Sequence, residues 1–217
     1  MKDAKKVAII GLGNIGRVLA QNFVHGNRSV LIAGRKFEDA KLLAGELGGL
    51  ATPLDTVQAI QQADIIILSV WFSTIQEFFK HYNTQLQGKI IIDPSNPIAP
   101  DENGGFRKII SQEESAGELN RSILPKDAIL VKAFGTLGAA SLADKAFHSP
   151  DPAVLFYASD NKNVDADIEI LIGESGFDAV KVGGIDQSIR IEVFGDLHEF
   201  GALGKTVTLN EAKGLFS

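Results

Sequence analysis

Three glycines, at positions 11, 13 and 16, stand between a short apolar run over residues 6–10 and a segment of helical periodicity. Ile15, Leu19 and Phe23 recur every four residues, with Val18 beside them. The first glycine allows a tight turn, the second lets backbone approach a ligand, and the third lets a helix pack closely on a strand. Gly11, Leu12, Gly13, Asn14, Ile15 and Gly16 therefore read as the strand–turn–helix of a βαβ unit that holds a dinucleotide pyrophosphate at a helix N-terminus. An ordinary glycine turn is the alternative; placement between a strand and a helix weighs against it.

The bulk of the chain supports such a unit. Its 217 residues, 45% of them hydrophobic, suffice for a sizeable core without staples. The absence of cysteine excludes disulfides, thiolate metal sites and a cysteine nucleophile. A net charge of −6 argues against nucleic acid or an anionic membrane as partner. The charged N-terminus followed by a strand-length apolar run is neither a signal peptide nor a membrane span, so a cytoplasmic protein is expected.

Strands are expected at Val7–Ile10, 29–33, Ala51–Pro53, 64–70, 89–93, 128–133, 154–158 and 179–182. Helices are expected at 38–47, from a cap at Asp55 or Thr56 through Gln62, at 106–119 and at 164–174. Alternating strand and helix gives an α/β Rossmann fold: a mostly parallel, doubly wound sheet with a small C-terminal lobe. Pro150 and Pro152 mark a seam between a dinucleotide-binding domain, 1–150, and an extension, 151–217, that completes the sheet and the substrate cleft. The tail from Gly183 reads as broken helix and loop.

The end of the second strand selects the dinucleotide. NAD-binding units place an acid there for the ribose 2′-hydroxyl. This chain has Gly34, Arg35 and Lys36 there, and the first acid after the second strand is Glu38. A guanidinium pairs with the 2′-phosphate of NADP, Lys36 assists, and Gly34 leaves room. The alternative is a solvated basic pair on a turn.

Three more strand ends line the expected crevice. Ser69, Val70 and Trp71 follow the fourth strand; Trp71 and Phe72 either wall the cofactor or pack in the core. Pro94, Asn96 and Pro97 follow the fifth. Asn96 either orients the nicotinamide carboxamide or a substrate, or closes an Asx turn. Ala133, Gly135 and Thr136 follow the sixth, where small residues let a flat ring lie against backbone; the alternative is a helix-entry turn capped by Thr136. Residues 98–106 form a candidate lid.

At these residues the chain resembles the NADP-dependent reductases of the deazaflavin coenzyme F420, and the cytosolic NADPH-binding domain of the six-transmembrane metalloreductases. The likeness runs through residues 11–16, 34–35, 93–97, 131–139 and 182–192. It implies a Rossmann domain with a small C-terminal lobe, a homodimer, and direct hydride transfer between NADP(H) and a flavin or deazaflavin in the cleft. Such transfer rests on positioning more than on a strong acid or base. Two positions depart from the relatives: Gly135 stands where they carry Asn or His, and Ile189 follows Ser188 where they place an Arg, here displaced to Arg190.

No catalytic residue is singled out, and no metal site is expected. His25 suits a helix C-terminus, and His81 and His148 read as surface residues. His198 lies in a stretch where a helix would align Glu192, Asp196 and Glu199. A solvated acidic face with Val193, Leu197 and Phe200 turned inward is the expectation; a metal or proton-relay site, or His198 as general acid, is the alternative. The function expected is NADPH-dependent oxidoreduction of a flavin-like or other small acceptor. A pyrroline carboxylate reductase-like imine or carbonyl reductase, drawing its proton from His198 or Thr136, is the second reading. A non-enzymatic NADP(H) redox sensor is the third.

Overall fold

Short aliphatic strands alternating with helices dictate the architecture, seen in a computed structural model that describes residues 4–102 and 104–216. The chain runs β1 (Val7–Ile10), α1 (Asn14–His25), β2 (Val30–Ala33), α2 (Phe37–Leu47), β3 (Ala51–Pro53), α3 (Thr56–Gln62) and β4 (Ile65–Leu68). It continues through α4 (Phe72–His81) and β5 (Ile90–Asp93) to an antiparallel hairpin of β6 (Ile98–Pro100) and β7 (Phe106–Lys108). Then come α5 (Ala116–Ser122), β8 (Ile129–Lys132), α6 (Ala139–Asp144), β9 (Val154–Ser159), α7 (Asp165–Glu174) and β10 (Asp178–Gly183). Two short helices, α8 (Ser188–Ile191) and α9 (Leu209–Gly214), close the described chain.

Eight strands form one sheet in the order β10-β9-β8-β5-β4-β1-β2-β3. The six from β8 to β3 are parallel; β9 pairs antiparallel to β8, and β10 runs parallel to β9. Strand direction explains the composition. Val7 and Ile9 pack into one apolar layer, Ala8 and Ile10 into the other, so β1 must be apolar at every position. The same holds for β4, Ile65 to Leu68, which is buried throughout. Chain order reverses between β1 and β4, and that switch point opens the crevice where ligands bind in doubly wound sheets. Among the described residues no helix is long and apolar enough to cross a membrane.

Several elements differ from expectation. The helix expected over 106–119 begins only at Ala116, because the Ser115 side chain accepts from the Glu118 N–H and sets the N-cap there. Its first residues instead form β7, paired with β6 through Ile98–Lys108 and Pro100–Phe106, so the candidate lid is a hairpin. α4 and α6 were not expected. α4 starts after the short link Ser69–Trp71 that follows β4, and its stripe of Phe72, Ile75 and Phe79 is buried. The tail is broken helix and loop as expected. Residues 192–200, however, are not helical, so Glu192, Asp196 and Glu199 share no helix face.

Candidate active site

The glycine turn lies at the switch point, and its three glycines have different causes. A β-carbon on Gly11, whose φ is +100°, would collide with the Ser69 carbonyl oxygen and crowd Val70. One on Gly16 would collide with the Gly11 carbonyl. Those two are required by the chain's own packing across β1 and β4. Gly13 is not: a β-carbon there would meet nothing within 4 Å. Gly13 is the N-cap of α1, no side chain caps that helix, and no acid occupies its first turn. The leading N–H groups thus face an open, cationic helix end suited to a phosphate. These features fit a dinucleotide pyrophosphate.

Arg35 and Lys36 follow β2, both exposed, and Lys36 is the N-cap of α2. Gly34 is tight for reasons inside the fold as well, since a β-carbon would lie 3.3 Å from Leu12 Cδ1 and from the Lys36 carbonyl oxygen. After β4 the two aromatics part ways. Trp71 is 57% exposed at the N-cap of α4, while Phe72 is 6% exposed and belongs to the core. Of the pair, only Trp71 has surface to offer a cofactor.

Beyond β5 and β8 lies a buried polar network. Lys132 Nζ is 3.1 Å from Asp93 Oδ2 and 4.0 Å from Glu192 Oε1, and also donates to the Ser95 carbonyl. Asp93 further accepts from the Ser95 N–H at 2.7 Å and from Asn120 Nδ2 at 2.8 Å. Glu192 accepts from the Ala116 and Gly117 N–H groups, both at 2.9 Å, at the start of α5. Burial pushes the Glu192 carboxyl up, against the pull of Lys132 and those two N–H groups. One ammonium between two buried carboxylates is a structural clasp that ties the tail to two strand ends.

Asn96 is spent on the same clasp. Its Nδ2 donates to the Gly135 carbonyl at 3.0 Å, and its Oδ1 accepts from the Val193 N–H at 2.7 Å. It therefore joins three segments and closes no Asx turn. Pro94 and Pro97 are buried beside it, and Ala133 is buried at the end of β8. The small size of Gly135 is used up by packing, since a β-carbon there would lie 2.6 Å from the Pro94 carbonyl oxygen. The preceding Phe134 is buried with φ +63°, a conformation costly for a residue with a side chain.

The acidic segment of the tail is thus corrected in each member. Glu192 is buried, Asp196 pairs with Arg190 at 2.7 Å, and Glu199 accepts from the Gly138 N–H and from Ser141 Oγ at the start of α6. Val193 and Leu197 are buried as expected, but Phe200 is 60% exposed. Among the described residues no three acidic, His or Cys side chains form a metal-binding group. His198 has both ring nitrogens engaged: Nδ1 accepts from the Phe200 N–H and Nε2 donates to the Gly135 carbonyl, each at 2.9 Å. Burial lowers its pKa to about 4. A neutral imidazole already donating its proton to backbone is a brace, not a general acid.

The brace has a measurable signature. An unfolded His takes up a proton near pH 6.5, while folded His198 resists until about 4. Between those values the unfolded state binds more protons, so stability falls as pH drops through that window and is flat above it. His198→Gln is less stable at neutral pH, and its urea midpoint declines less between pH 6.5 and 4 than that of the native chain. Parallel declines would exclude the protonation of His198 as the cause.

Residues 6–97 match the family model described as NADP oxidoreductase, coenzyme F420-dependent. The metalloreductase STEAP3 of Rattus norvegicus is 30% identical over 147 residues, 65% of this chain and 26% of the relative. A glutamyl-tRNA reductase of Methanococcus maripaludis is 35% identical over 101 residues, 45% of this chain and 26% of the relative. The chain thus spans about a quarter of the curated relatives it matches. Among solved structures, hypothetical protein SMa0349 of Sinorhizobium meliloti superposes with a TM-score of 0.81 at 25% identity, covering 94% of this chain and 95% of that one. A protein assigned as an F420-dependent NADP reductase, from Arthrobacter sp. FB24, gives 0.72 at 19% identity, covering 85% and 87%.

Proposed function

We propose that this chain, whose residues 6–97 match the family model of coenzyme F420-dependent NADP oxidoreductases, transfers hydride between NADP(H) and a flavin-like acceptor. The observation that carries the reading is the pairing of an uncapped α1 N-terminus at Gly13 with exposed Arg35 and Lys36 at the end of β2. Residues 11–16 hold the pyrophosphate, and Arg35 with Lys36 receives the 2′-phosphate. Ser69, Val70 and Trp71 wall the crevice on one side. Residues 94–97 and 133–136 floor the other, near the nicotinamide.

Bound NADPH supplies a hydride, two electrons with one proton, and the acceptor takes its second proton from water. The residues of the floor position and desolvate; they do not exchange protons. His198 donates to Gly135 and stays neutral. Thr136, at 1% exposure, has a hydroxyl that reaches neither solvent nor a partner. An imine or carbonyl reductase needs a donor at the reacting atom, and neither candidate for that role is presented to the crevice. A flavin-like ring fits better because solvent supplies its proton.

The test couples cofactor and acceptor. Arg35→Ala raises the dissociation constant for NADPH by about 10–100-fold, the worth of a charge-assisted pair, and moves that for NADH little. Trp71 emission reports binding in both cases. Consumption of NADPH in the presence of flavins, and none with cyclic imines, supports the reading. Equal effects on NADPH and NADH, or turnover with imines alone, would overturn it.

A further inference from the structure

Among the described residues, five other than glycine have a positive φ: Asn27, Asp127, Phe134, Phe147 and Phe194. Asn and Asp tolerate that conformation, whereas a bulky side chain adopts it only at a cost. Packing offsets the cost at two of the three phenylalanines. Phe134 is 0% exposed and meets Phe23 edge-on, with ring centroids 5.9 Å apart. Phe147 stacks on His25 at 4.4 Å. Phe194 is different. Its φ is +74°, it is 50% exposed, and its ring meets no other ring among the described residues.

The turn that carries Phe194 is fixed on both sides. The Gly195 N–H donates to the Glu192 carbonyl at 2.8 Å and closes four residues into a turn. A turn whose positive φ falls on its third residue alone takes glycine or asparagine there. Before Phe194, the Glu192 carboxylate is held by the Ala116 and Gly117 N–H groups, and the Val193 N–H donates to Asn96 Oδ1 at 2.7 Å. After it, the Leu197 N–H donates to the Arg190 carbonyl at 2.8 Å. A β-carbon on Gly201 would lie 2.9 Å from the Phe194 carbonyl carbon, so the chain presses on this peptide from beyond as well. Phe194 has no freedom to relax to a less strained φ.

The same bonds say where the ring is carried. Asn96 also donates to the Gly135 carbonyl, so the turn is seated on the carboxyl ends of β5 and β8. Through the bond to Val193 and one peptide length, Phe194 Cα lies within about 8 Å of Asn96 Oδ1. Glycine at 194 would relieve the backbone and forfeit no ring contact. A strained residue held in place at a strand end, with a flat half-exposed ring, fits a ligand contact better than a fold contact. Phenylalanine has only two side-chain torsions, so little freedom is lost when a second ring lies against it.

Resting on the oxidoreductase reading above, we propose that Phe194 is a binding platform for the acceptor: the flat ring of the acceptor stacks on it, and the strained turn holds it ready for that contact. Phe194→Gly and Phe194→Ala remove the ring, and Phe194→Tyr keeps it. Riboflavin is the probe, its binding read from flavin fluorescence in the NADP+-loaded protein and its turnover from kcat and KM at saturating NADPH. Loss of the ring raises the riboflavin dissociation constant and KM by roughly tenfold, with a smaller change in kcat, and Phe194→Tyr stays within about twofold of the native chain. The NADPH dissociation constant, read from Trp71 emission, is unmoved in all three. Phe194→Gly melts above Phe194→Ala by roughly 2–4 °C, because only glycine relieves the positive φ.

Normal riboflavin binding by the Gly and Ala variants, or a parallel loss of NADPH affinity, would overturn the inference while leaving flavin reduction intact. A Gly variant that melts no higher than the Ala variant would overturn it too, since the turn would then carry no strain. Failure of riboflavin to bind or react with the native chain, NADPH still being bound, would overturn the oxidoreductase reading and this inference with it.

Discussion

Gly13→Val weakens NADPH binding about a hundredfold and leaves the fold standing, whereas Gly16→Val unfolds the protein. Both substitutions fall in one glycine motif, yet the space around the two residues is opposite. Gly16 has the Gly11 carbonyl pressed against it, so any side chain forces α1 off β1. The expected loss is about 3 kcal/mol or more, typical of severe overpacking in a core. Gly13 has φ −75°, which valine adopts without strain, and open space where its side chain would project. That side chain fills the approach of the pyrophosphate. An increase of about two orders of magnitude in the NADPH dissociation constant, ~2.7 kcal/mol, follows with little change in melting temperature. Thermal melts and a Trp71 fluorescence titration separate the outcomes. Normal NADPH binding by Gly13→Val would remove the main support for the pyrophosphate site.

Lys132→Met is the second large effect. It leaves Asp93 and Glu192 buried without the cation between them, at a cost of about 3–5 kcal/mol. The deficit depends on pH. Folded Glu192 already holds its proton more tightly than an unfolded carboxyl does. A group of this kind favours the folded state at low pH, and its contribution is lost as pH rises above the ordinary carboxylate range. Removing the ammonium deepens that behaviour. The variant therefore recovers stability as pH is lowered from about 7 toward 5, visible as a rising urea midpoint while the native chain shows a smaller change. A variant whose deficit is the same at both pH values would show that lost packing, not unpaired charge, is responsible.

The strands and the glycine turn were legible because their physics is local. A parallel strand covered on both faces must be continuously apolar, and Ile65 to Leu68 can be little else. Helix α4 was missed because Trp71 and Phe72 read as a strand end, although the Phe72, Ile75, Phe79 spacing is helical. α5 was placed too early. Its start carries a readable signal, Ser115 followed three residues later by Glu118, that outweighs the hydrophobic pattern upstream. The acidic tail misled for another reason. Glu192, Asp196 and Glu199 have helical spacing, but a β-carbon on Gly195 would collide with the Ile189 and Arg190 carbonyls, and the chain there is a set of turns. The partners of Glu192 lie 76 and 75 residues upstream, beyond any local pattern. Asn96 and His198 carry groups suited to chemistry, and in the fold they also join segments of the chain. Both bond to the one carbonyl of Gly135, a convergence that only the fold creates.

The reversal of direction at β9 has a consequence for how such a protein can diversify. With Lys132 opposite Ala158 and Val131 opposite Ser159, the first residues of β9 project past the carboxyl end of β8. A seventh parallel strand would have stopped level with its neighbours and left the crevice open at that edge. The antiparallel pair instead raises a parapet there, and the tail that follows it returns to lie over the strand ends. On the reading proposed above, nucleotide recognition rests on residues 11–36, and the opposing rim comes from residues far along the chain, 183–201. Mutations that reshape what is reduced can accumulate in that rim while the grip on the dinucleotide stays as it is.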